Sequence, residues 1–224
     1  MRTLAVVPAR KGSRGLPGKN TRLFKGIPLV AHAIRIGLKT CDRVLVTTDD
    51  PLVAEIAQEY EVEVVNRPPE LAQDDTPMLP VLQHALQASQ YRPDLVVLLQ
   101  PTSPLRKVRH VMDALKLIEE TGADSVASVV EVPAHYSIYA QLCEDSCKPG
   151  AIKGAAGWEL DEMPGTRQAC APTYVRDGSV YIFRAIRIEA GRLYGYDCRP
   201  VLLDPKESST IDTAEDWRLA EMNA

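Results

Sequence analysis

The chain has 224 residues, of which 45% are hydrophobic and 25% charged, and its formal net charge at pH 7 is −4. These values predict one soluble globular α/β domain with a full core, and no stretch approaches the ~18 apolar residues of a membrane-spanning helix. The five cysteines lack C-x-x-C spacing and no apolar segment marks the N-terminus. These features argue against a disulfide framework, a zinc site or a secreted chain, and favour a cytoplasmic protein.

A glycine-rich basic loop follows the first predicted strand. Residues 4–7 form a short apolar run, and residues 8–20 then read P-A-R-K-G-S-R-G-L-P-G-K-N. Glycine lets a backbone approach a ligand closely, so that successive N–H groups converge on anionic oxygens. Residues 10–25 hold six basic and no acidic side chains in a chain that is acidic overall. This pattern indicates a small anionic ligand and argues against a nucleic-acid surface, with a solvated basic loop as the alternative.

The loop matches neither of the two common phosphate-binding glycine motifs. Ser13 stands where a Walker A sequence has its first glycine, and Asn20 replaces the metal-binding hydroxyl. Gly12, Gly15 and Gly18 are spaced three and three, which differs from the dinucleotide fingerprint G-x-G-x-x-G. The loop therefore predicts phosphate binding of another kind.

Strands and helices alternate along the chain up to residue 130. Apolar runs predict strands, and helical spacing with N-terminal cap signals predicts the helices between them. The later predicted strands are residues 43–48, 61–65, 95–99 and 125–130, and the helices begin at Pro28, Asp50, Asp75 or Thr76, and Val108. This alternation predicts a mostly parallel, doubly wound sheet of the Rossmann type. Ligands bind at the carboxyl ends of such strands, where Arg10, Asp49 and Gln100 lie.

The alternation breaks at residues 133–173. That segment is rich in Gly, Pro, Cys and polar residues, but it also contains Tyr136, Tyr139, Leu142 and Trp158. The large side chains favour a lid or an arm over disorder. We therefore interpret residues 1–224 as one domain with an arm inserted at residues 133–173.

After residue 173 the sequence predicts a turn, two strands and a final helix. Asp177 and Gly178 predict a turn ahead of a strand at residues 179–183, and residues 200–203 predict another strand. Asp212 or Thr213 predicts the N-cap of a final helix.

Five segments carry a further signal: A-R-K-G-S-R-G-L-P-G-K-N, N-R-P-P-E-L-A-Q-D-D-T, L-L-Q-P-T-S-P-L-R, Y-V-R-D-G-S-V-Y-I-F and S-T-I-D-T-A-E-D-W. In this order they resemble the CMP-sialic acid synthetases, the acylneuraminate cytidylyltransferases, over nearly the whole chain. The resemblance implies a fold like that of nucleotide-diphospho-sugar transferases. It implies transfer of CMP from CTP to the anomeric hydroxyl of a nonulosonic, sialic-type acid, with release of pyrophosphate. It also implies Mg²⁺ dependence and a homodimer whose protruding arm contributes to the neighbour's sugar site.

The resemblance also implies roles for individual residues. The catalytic residues that it implies are Arg10, Lys19 and Asp212, with Asp212 as the metal ligand. The nucleotide site comprises Arg10, Ser13, Lys19, Asn20 and Arg67. The sugar site comprises Gln100, Arg167, Asp177 and Tyr181. Cations at the triphosphate stabilise the leaving group, so this chemistry requires no covalent nucleophile.

Four of the polar side chains also have a purely structural interpretation. Arg67 would then be a surface loop residue, and Asp212 the cap of the last helix. Asp49 is expected to cap or brace the basic loop rather than to bind metal. Tyr181 lies in an alternating strand, so that packing in the core competes with contact to the sugar.

The chain departs from the family pattern at several positions. Thr210 replaces the first acid of the I-D-I-D sequence that many relatives carry, which leaves Asp212 as the main protein ligand for a metal. Asp177 stands where asparagine is usual, and Pro77 and Met78 replace serines. The identity of the sugar acid is therefore left open.

Two other classes of function remain open. One is a nucleotidyltransferase of similar fold that uses another base or a sugar phosphate, although such enzymes usually carry a G-G-x-G-T-R opening that this chain lacks. The other is a nucleotide-binding protein that has lost turnover.

Overall fold

Alternating apolar side chains give the central strands two buried faces. The structure is a computed structural model that describes residues 1–12, 15–148, 150–163, 166 and 171–224. In the first strand, Ala5 and Val7 join one buried cluster, whereas Leu4 and Val6 join another. Side chains alternate across a strand, so these two clusters lie on opposite faces of the sheet.

Up to Glu131, strands and helices in the described residues follow the predicted alternation, with two additional short strands before the first helix. The strands are β1 (Thr3–Pro8), β2 (Leu23–Phe24), β3 (Ile27–Pro28), β4 (Arg43–Thr48), β5 (Glu63–Asn66), β6 (Leu95–Leu98), β7 (Ser125–Glu131), β8 (Leu142–Glu144), β9 (Ile152–Gly154), β10 (Tyr174–Arg184) and β11 (Cys198–Leu202). The α-helices are α1 (Leu29–Thr40), α2 (Pro51–Glu59), α3 (Met78–Ala88), α4 (Val108–Thr121), α5 (Ala185–Glu189) and α6 (Ala214–Asn223). None of these helices is long and apolar enough to cross a membrane.

The main sheet has seven strands in the order β11-β7-β10-β6-β1-β4-β5. β1 pairs in parallel with β4 and β6, and β4 pairs in parallel with β5. β10 runs antiparallel to β6, with Tyr181 opposite Leu98. Helices α1, α2 and α4 cover one face, and α3 and α5 cover the other. The prediction of an α/β fold with a mostly parallel sheet is confirmed.

The predicted turn at Asp177 and Gly178 is wrong. Both residues lie inside β10, which is much longer than the strand expected there. Gly178 has φ +82°, a value that glycine adopts without strain. The Asp177 carbonyl accepts a hydrogen bond from Thr210 Oγ1 over 2.8 Å. These two residues therefore lie within a continuous strand and do not end it.

Side-chain caps define two of the helices that flank the site. Asp50 Oδ1 accepts from the Leu52 N–H over 3.0 Å and caps α2, as predicted. Thr213, not Asp212, is the N-cap of α6, where Thr213 and Asp216 form a capping box. The Asp212 carboxylate is therefore not used for capping.

The chain divides into two compact units. The first comprises Met1–Ser128 and Asp177–Ala224, and the second comprises Val129–Arg176. Within the second unit, β8 and β9 form an antiparallel pair, and the rings of Tyr139 and Trp158 stack with centroids 5.2 Å apart. This segment has local structure of its own.

Candidate functional site

A cavity of about 590 Å³ lies in the first unit, where β1, β5 and β6 end. Its walls bring together six residues predicted from the sequence: Arg10, Lys19, Asn20, Arg67, Gln100 and Asp212. Ser13 and Arg167 lie outside the described residues. The cavity occupies the position at which doubly wound sheets bind ligands.

Lys19 is a buried cation that lines the cavity. Gly18, with φ +67°, leads into a short 3-10 helix at Lys19–Thr21 that turns the lysine inward, leaving it 7% exposed. Lys19 Nζ donates to the Ile211 carbonyl over 2.6 Å and to Asp212 Oδ1 over 2.9 Å. The aspartate side chain is 68% exposed, so it retains access to a ligand.

The basic loop and the segment before α6 are in direct contact. A Cβ atom on Gly15 would lie 2.2 Å from the Asp212 carbonyl oxygen, so only glycine fits there without displacing the backbone. Beneath this contact a small apolar cluster contains Leu16, Phe24 and Ile211. Burial of these side chains holds Asp212 beside the loop.

Arg10 is held at the mouth of the same loop. Its Nη1 donates to the Gly12 carbonyl over 3.0 Å, and its Nη2 donates to Asp74 Oδ1 in an ion pair. Asn20 Nδ2 donates to the Arg10 carbonyl over 3.1 Å. Asp49 Oδ1 accepts from the Lys11 N–H over 2.8 Å, which confirms that Asp49 braces the loop.

Arg67 is a buried side chain rather than a surface loop residue. It is 4% exposed, and its Nη2 donates to the Thr47 carbonyl over 2.7 Å. Burial lowers the pKa of Arg67 to about 10; the nearby Asp49 carboxylate opposes this shift and the Arg10 charge adds to it. The guanidinium remains charged at neutral pH and lines the cavity together with Arg10 and Lys19.

Of the three predicted sugar-site residues that the structure describes, one lines the cavity and two do not. Gln100 lines the cavity, whereas Asp177 and Tyr181 are not among its lining residues. Asp177 is buried and accepts hydrogen bonds from Ser128 Oγ, Ser179 Oγ and the Ser179 N–H. Tyr181 is buried in the core. The assignment of these two residues to sugar binding stays a prediction.

Arg106 is a buried cation next to the Gln100 loop. Its Nη2 donates to the Gln100 carbonyl over 2.5 Å, and its Nε donates to the Ser179 carbonyl. Burial lowers the pKa of Arg106 to about 10, and the Asp177 carboxylate opposes the shift. Arg106 thus ties the Gln100 backbone to β10 and balances the charge of Asp177.

Sequence reasoning missed one wall of the cavity. This wall is formed by Leu71, Gln73, Asp74, Thr76, Met78 and Val81. The segment N-R-P-P-E-L-A-Q-D-D-T was already recognised as a family segment, but only Arg67 was selected from it. The acidic residues of that segment were the available signal. Positive charge in a partly buried site is unfavourable unless it is paired, so one of these carboxylates could have been predicted to pair with the basic loop.

Few side chains of the cavity could coordinate a metal ion. Among the described residues, no group of three or more His, Cys, Asp or Glu side chains is arranged to hold a metal ion. Asp212 contributes one carboxylate to the cavity. Mg²⁺ commonly binds through one or two carboxylates together with substrate phosphates and water. An exposed carboxylate at Asp212 therefore fits a Mg²⁺ ion that would arrive with a polyphosphate.

Comparison with known proteins places the chain in a family. A family profile described as Cytidylyltransferase matches residues 4–140. The chain is 36% identical to the CMP-N,N'-diacetyllegionaminic acid synthase of Legionella pneumophila, over 99% of this chain and 95% of that protein. It is 39% identical to the N-acylneuraminate cytidylyltransferase of Escherichia coli, over 98% of this chain but 52% of that protein. The chain thus spans about half the length of the E. coli relative.

A solved structure shares the fold. The CMP:2-keto-3-deoxy-manno-octonic acid synthetase complexed with CTP superimposes with a TM-score of 0.73 at 18% identity, covering 99% of this chain and 98% of that one. The family match and these relatives show that the chain belongs to the cytidylyltransferase family, as a nucleotidyltransferase of the acylneuraminate cytidylyltransferase type.

Proposed function

We propose that this protein transfers CMP from CTP to the anomeric hydroxyl of a nonulosonic acid and releases pyrophosphate. The observation that carries this proposal is that Arg10, Lys19, Arg67 and Asp212 line one and the same cavity. The relatives named for legionaminic and acylneuraminic acids support a nonulosonic acceptor.

In the proposed reaction, the anomeric hydroxyl oxygen attacks the α-phosphorus of CTP. The bond from that phosphorus to the bridging oxygen breaks, and pyrophosphate leaves with the bonding electrons. Arg10 and Lys19 bind the triphosphate and stabilise negative charge on the departing phosphates. Asn20 and Arg67 help to seat the nucleotide, and the protein mainly holds the two reactants in line.

The sugar acid would bind beside Gln100. We retain Arg167, Asp177 and Tyr181 as proposed contributors to that half of the site, and Ser13 to the nucleotide half. The exposed Asp212 carboxylate is the proposed Mg²⁺ ligand, consistent with the general use of a divalent metal in the family. When bound there, Mg²⁺ would polarise phosphate oxygens.

We also propose a homodimer. The second unit, Val129–Arg176, exposes the apolar side chains of Ile138, Leu142 and Ile152. Burial of such side chains against a second copy would remove apolar surface from water. In this proposal the unit acts as the dimerisation arm of one cytidylyltransferase domain.

A pyrophosphate-release assay tests the reaction. The protein is incubated with Mg²⁺, each of the four nucleoside triphosphates, and a panel of sialic, Kdn, legionaminic and pseudaminic acids. We expect release with CTP and at least one acid. No release with CTP and any acid would refute the proposal, and release with another base would identify a different nucleotidyltransferase.

A variant at Asp212 tests the proposed metal ligand. Asp212→Ala should reduce activity by at least 100-fold and raise the Mg²⁺ concentration needed for half-maximal activity, because the carboxylate in the cavity is lost. Glu215→Ala removes an exposed carboxylate three residues away and serves as the control. Full activity in a folded Asp212→Ala protein would show that the metal assignment is wrong.

A further inference from the structure

Asp74 forms an ion pair with a cation that the proposed reaction requires. Arg10 Nη2 donates to Asp74 Oδ1, and the two side chains are equally exposed, at 28%. Arg10 Nη1 is held by the Gly12 carbonyl at 3.0 Å and the Lys11 carbonyl at 3.4 Å. The backbone of the loop therefore fixes one edge of the guanidinium and presents the other edge to Asp74.

Both partners line the cavity, although they are 64 positions apart in the chain. Asp74 lies between a 3-10 turn at Pro69–Leu71 and the start of α3, in a segment held by the bond from Gln73 Nε2 to the Pro69 carbonyl over 2.7 Å. The carboxylate is thus carried by an ordered wall of the site. The adjacent Asp75 does not line the cavity.

The contact between Arg10 and Asp74 compensates positive charge around Arg10. The Arg10 charge contributes to lowering the pKa of the buried Arg67, so the two guanidinium groups repel each other when no anion is bound. Asp74 beside Arg10 and Asp49 near Arg67 compensate that repulsion. A polyphosphate in the cavity would supply the same compensation if it bound the edge of Arg10 that now faces Asp74.

We propose that Asp74 competes with the polyphosphate for Arg10 and thereby promotes the release of pyrophosphate. This inference rests on the proposed function. When pyrophosphate dissociates, Asp74 takes its place on Arg10, so the cation is not left without an anionic partner. The ion pair lowers the free energy of the product-free site and weakens pyrophosphate binding. Because the pair is partly exposed, its contribution is modest and CTP can displace it.

Titration calorimetry with inorganic pyrophosphate in the presence of Mg²⁺ tests the competition without any sugar acid. Asp74→Asn should tighten pyrophosphate binding about two- to fivefold, the range expected for loss of one exposed ion pair. Asp74→Ser serves as a second variant, and thermal melting verifies that each variant is folded. Asp75→Asn makes the same charge change one residue away and should alter the dissociation constant less than twofold.

A double-mutant cycle with Arg10→Gln separates competition for Arg10 from a general effect of charge. If Asp74 acts through Arg10, Asp74→Asn has no effect on pyrophosphate binding in the Arg10→Gln background. Equal tightening in both backgrounds, or weaker binding in Asp74→Asn, would overturn the inference.

Steady-state inhibition by pyrophosphate provides an independent readout. Asp74→Asn should be inhibited at a two- to fivefold lower pyrophosphate concentration than the unchanged protein. The calorimetric result does not depend on turnover. An Arg10-dependent change in pyrophosphate binding without activity on nonulosonic acids would therefore refute the proposed function alone, whereas activity without that change would refute this inference alone.

Discussion

Two of the cationic side chains that line the cavity form ion pairs with carboxylates of the protein. Lys19 pairs with Asp212, and Arg10 pairs with Asp74. Buried or half-buried charge is costly unless it is compensated, so these pairs stabilise a site built for an anion. In the proposed reaction, a polyphosphate would replace these carboxylates as the anionic partner of Arg10 and Lys19.

Lys19→Met should reduce kcat/KM for CTP about 100- to 1,000-fold, the loss typical of removing one group that stabilises developing charge. Initial rates of pyrophosphate release measure the effect. Lys11→Met removes an exposed cation from the same loop whose side chain does not line the cavity, and it should change the rate less than about threefold. A folded Lys19→Met protein with an unchanged rate would contradict the role given to this lysine.

Among the elements, the segment before α6 brings Asp212 to the cavity. It begins with a 3-10 turn at Pro205–Glu207 and ends at the Thr213 cap. The Ile211 N–H donates to the Thr102 carbonyl over 2.8 Å, and Ile211 is fully buried. These contacts place Asp212 beside the N-terminal loop.

Glu207 fastens the start of that segment to the N-terminal end of α4. Its Oε1 accepts from Lys107 Nζ over 2.6 Å, and its Oε2 accepts from Arg109 Nη2 and, over 3.0 Å, from His110 Nε2. His110 Nδ1 accepts from the Lys107 N–H over 3.2 Å, so the histidine donates through Nε2 in its neutral form. Arg109, then Lys107 and His110, lower the pKa of Glu207 to about 2.

The low pKa of Glu207 predicts a pH-dependent contribution to stability. Because the folded-state value, about 2, lies below the ordinary value of 4.5, the contribution is present above about pH 4.5 and is lost as the pH falls towards 2. Glu207→Gln should therefore lower the midpoint of urea unfolding at pH 7. The difference in this midpoint between the variant and the unchanged protein should become smaller below pH 4.5. A difference that stays constant from pH 7 to 2.5 would contradict the ion-pair assignment; Glu215→Gln is the control.

At the scale of the whole molecule, the chain comprises two compact units. The first unit contains the seven-stranded sheet and every residue that lines the cavity. The second contains a short β-hairpin in which Leu142 and Ile152 lie on one face, because Leu142 pairs with Gly154 and Glu144 pairs with Ile152. Both apolar side chains are exposed. This face is the part of the proposed arm best suited to contact another copy.

The double substitution Leu142→Lys and Ile152→Lys should weaken the proposed dimer at least tenfold, because it places charge on a face that would be desolvated. Light scattering coupled to size-exclusion chromatography over a range of protein concentrations measures the change. Cys143→Lys alters the opposite face of the hairpin and should leave the association unchanged. A protein that is monomeric at every concentration before substitution would refute the proposed homodimer.

Local chemistry explains why much of the fold could be predicted. The apolar runs at β1, β4 and β6, the Asp50 cap and the start of α4 depend on residues that are close in sequence. Asp177 and Gly178 mark the limit of this reasoning. Their types favour a turn, but pairing across the sheet and the Thr210 hydrogen bond keep them within a strand.

The sequence by itself determined the main alternation of strands and helices up to β7 and the family segments that supply Lys19, Arg67 and Gln100, and it predicted phosphate binding by the basic loop. Only the tertiary structure decided that Lys19 meets Asp212 across 193 positions and that Arg10 meets Asp74 across 64. The physical reason is that periodicity and caps are short-range effects. Which carboxylate reaches which cation depends instead on how the sheet and the apolar cluster around Ile211 bring distant segments together.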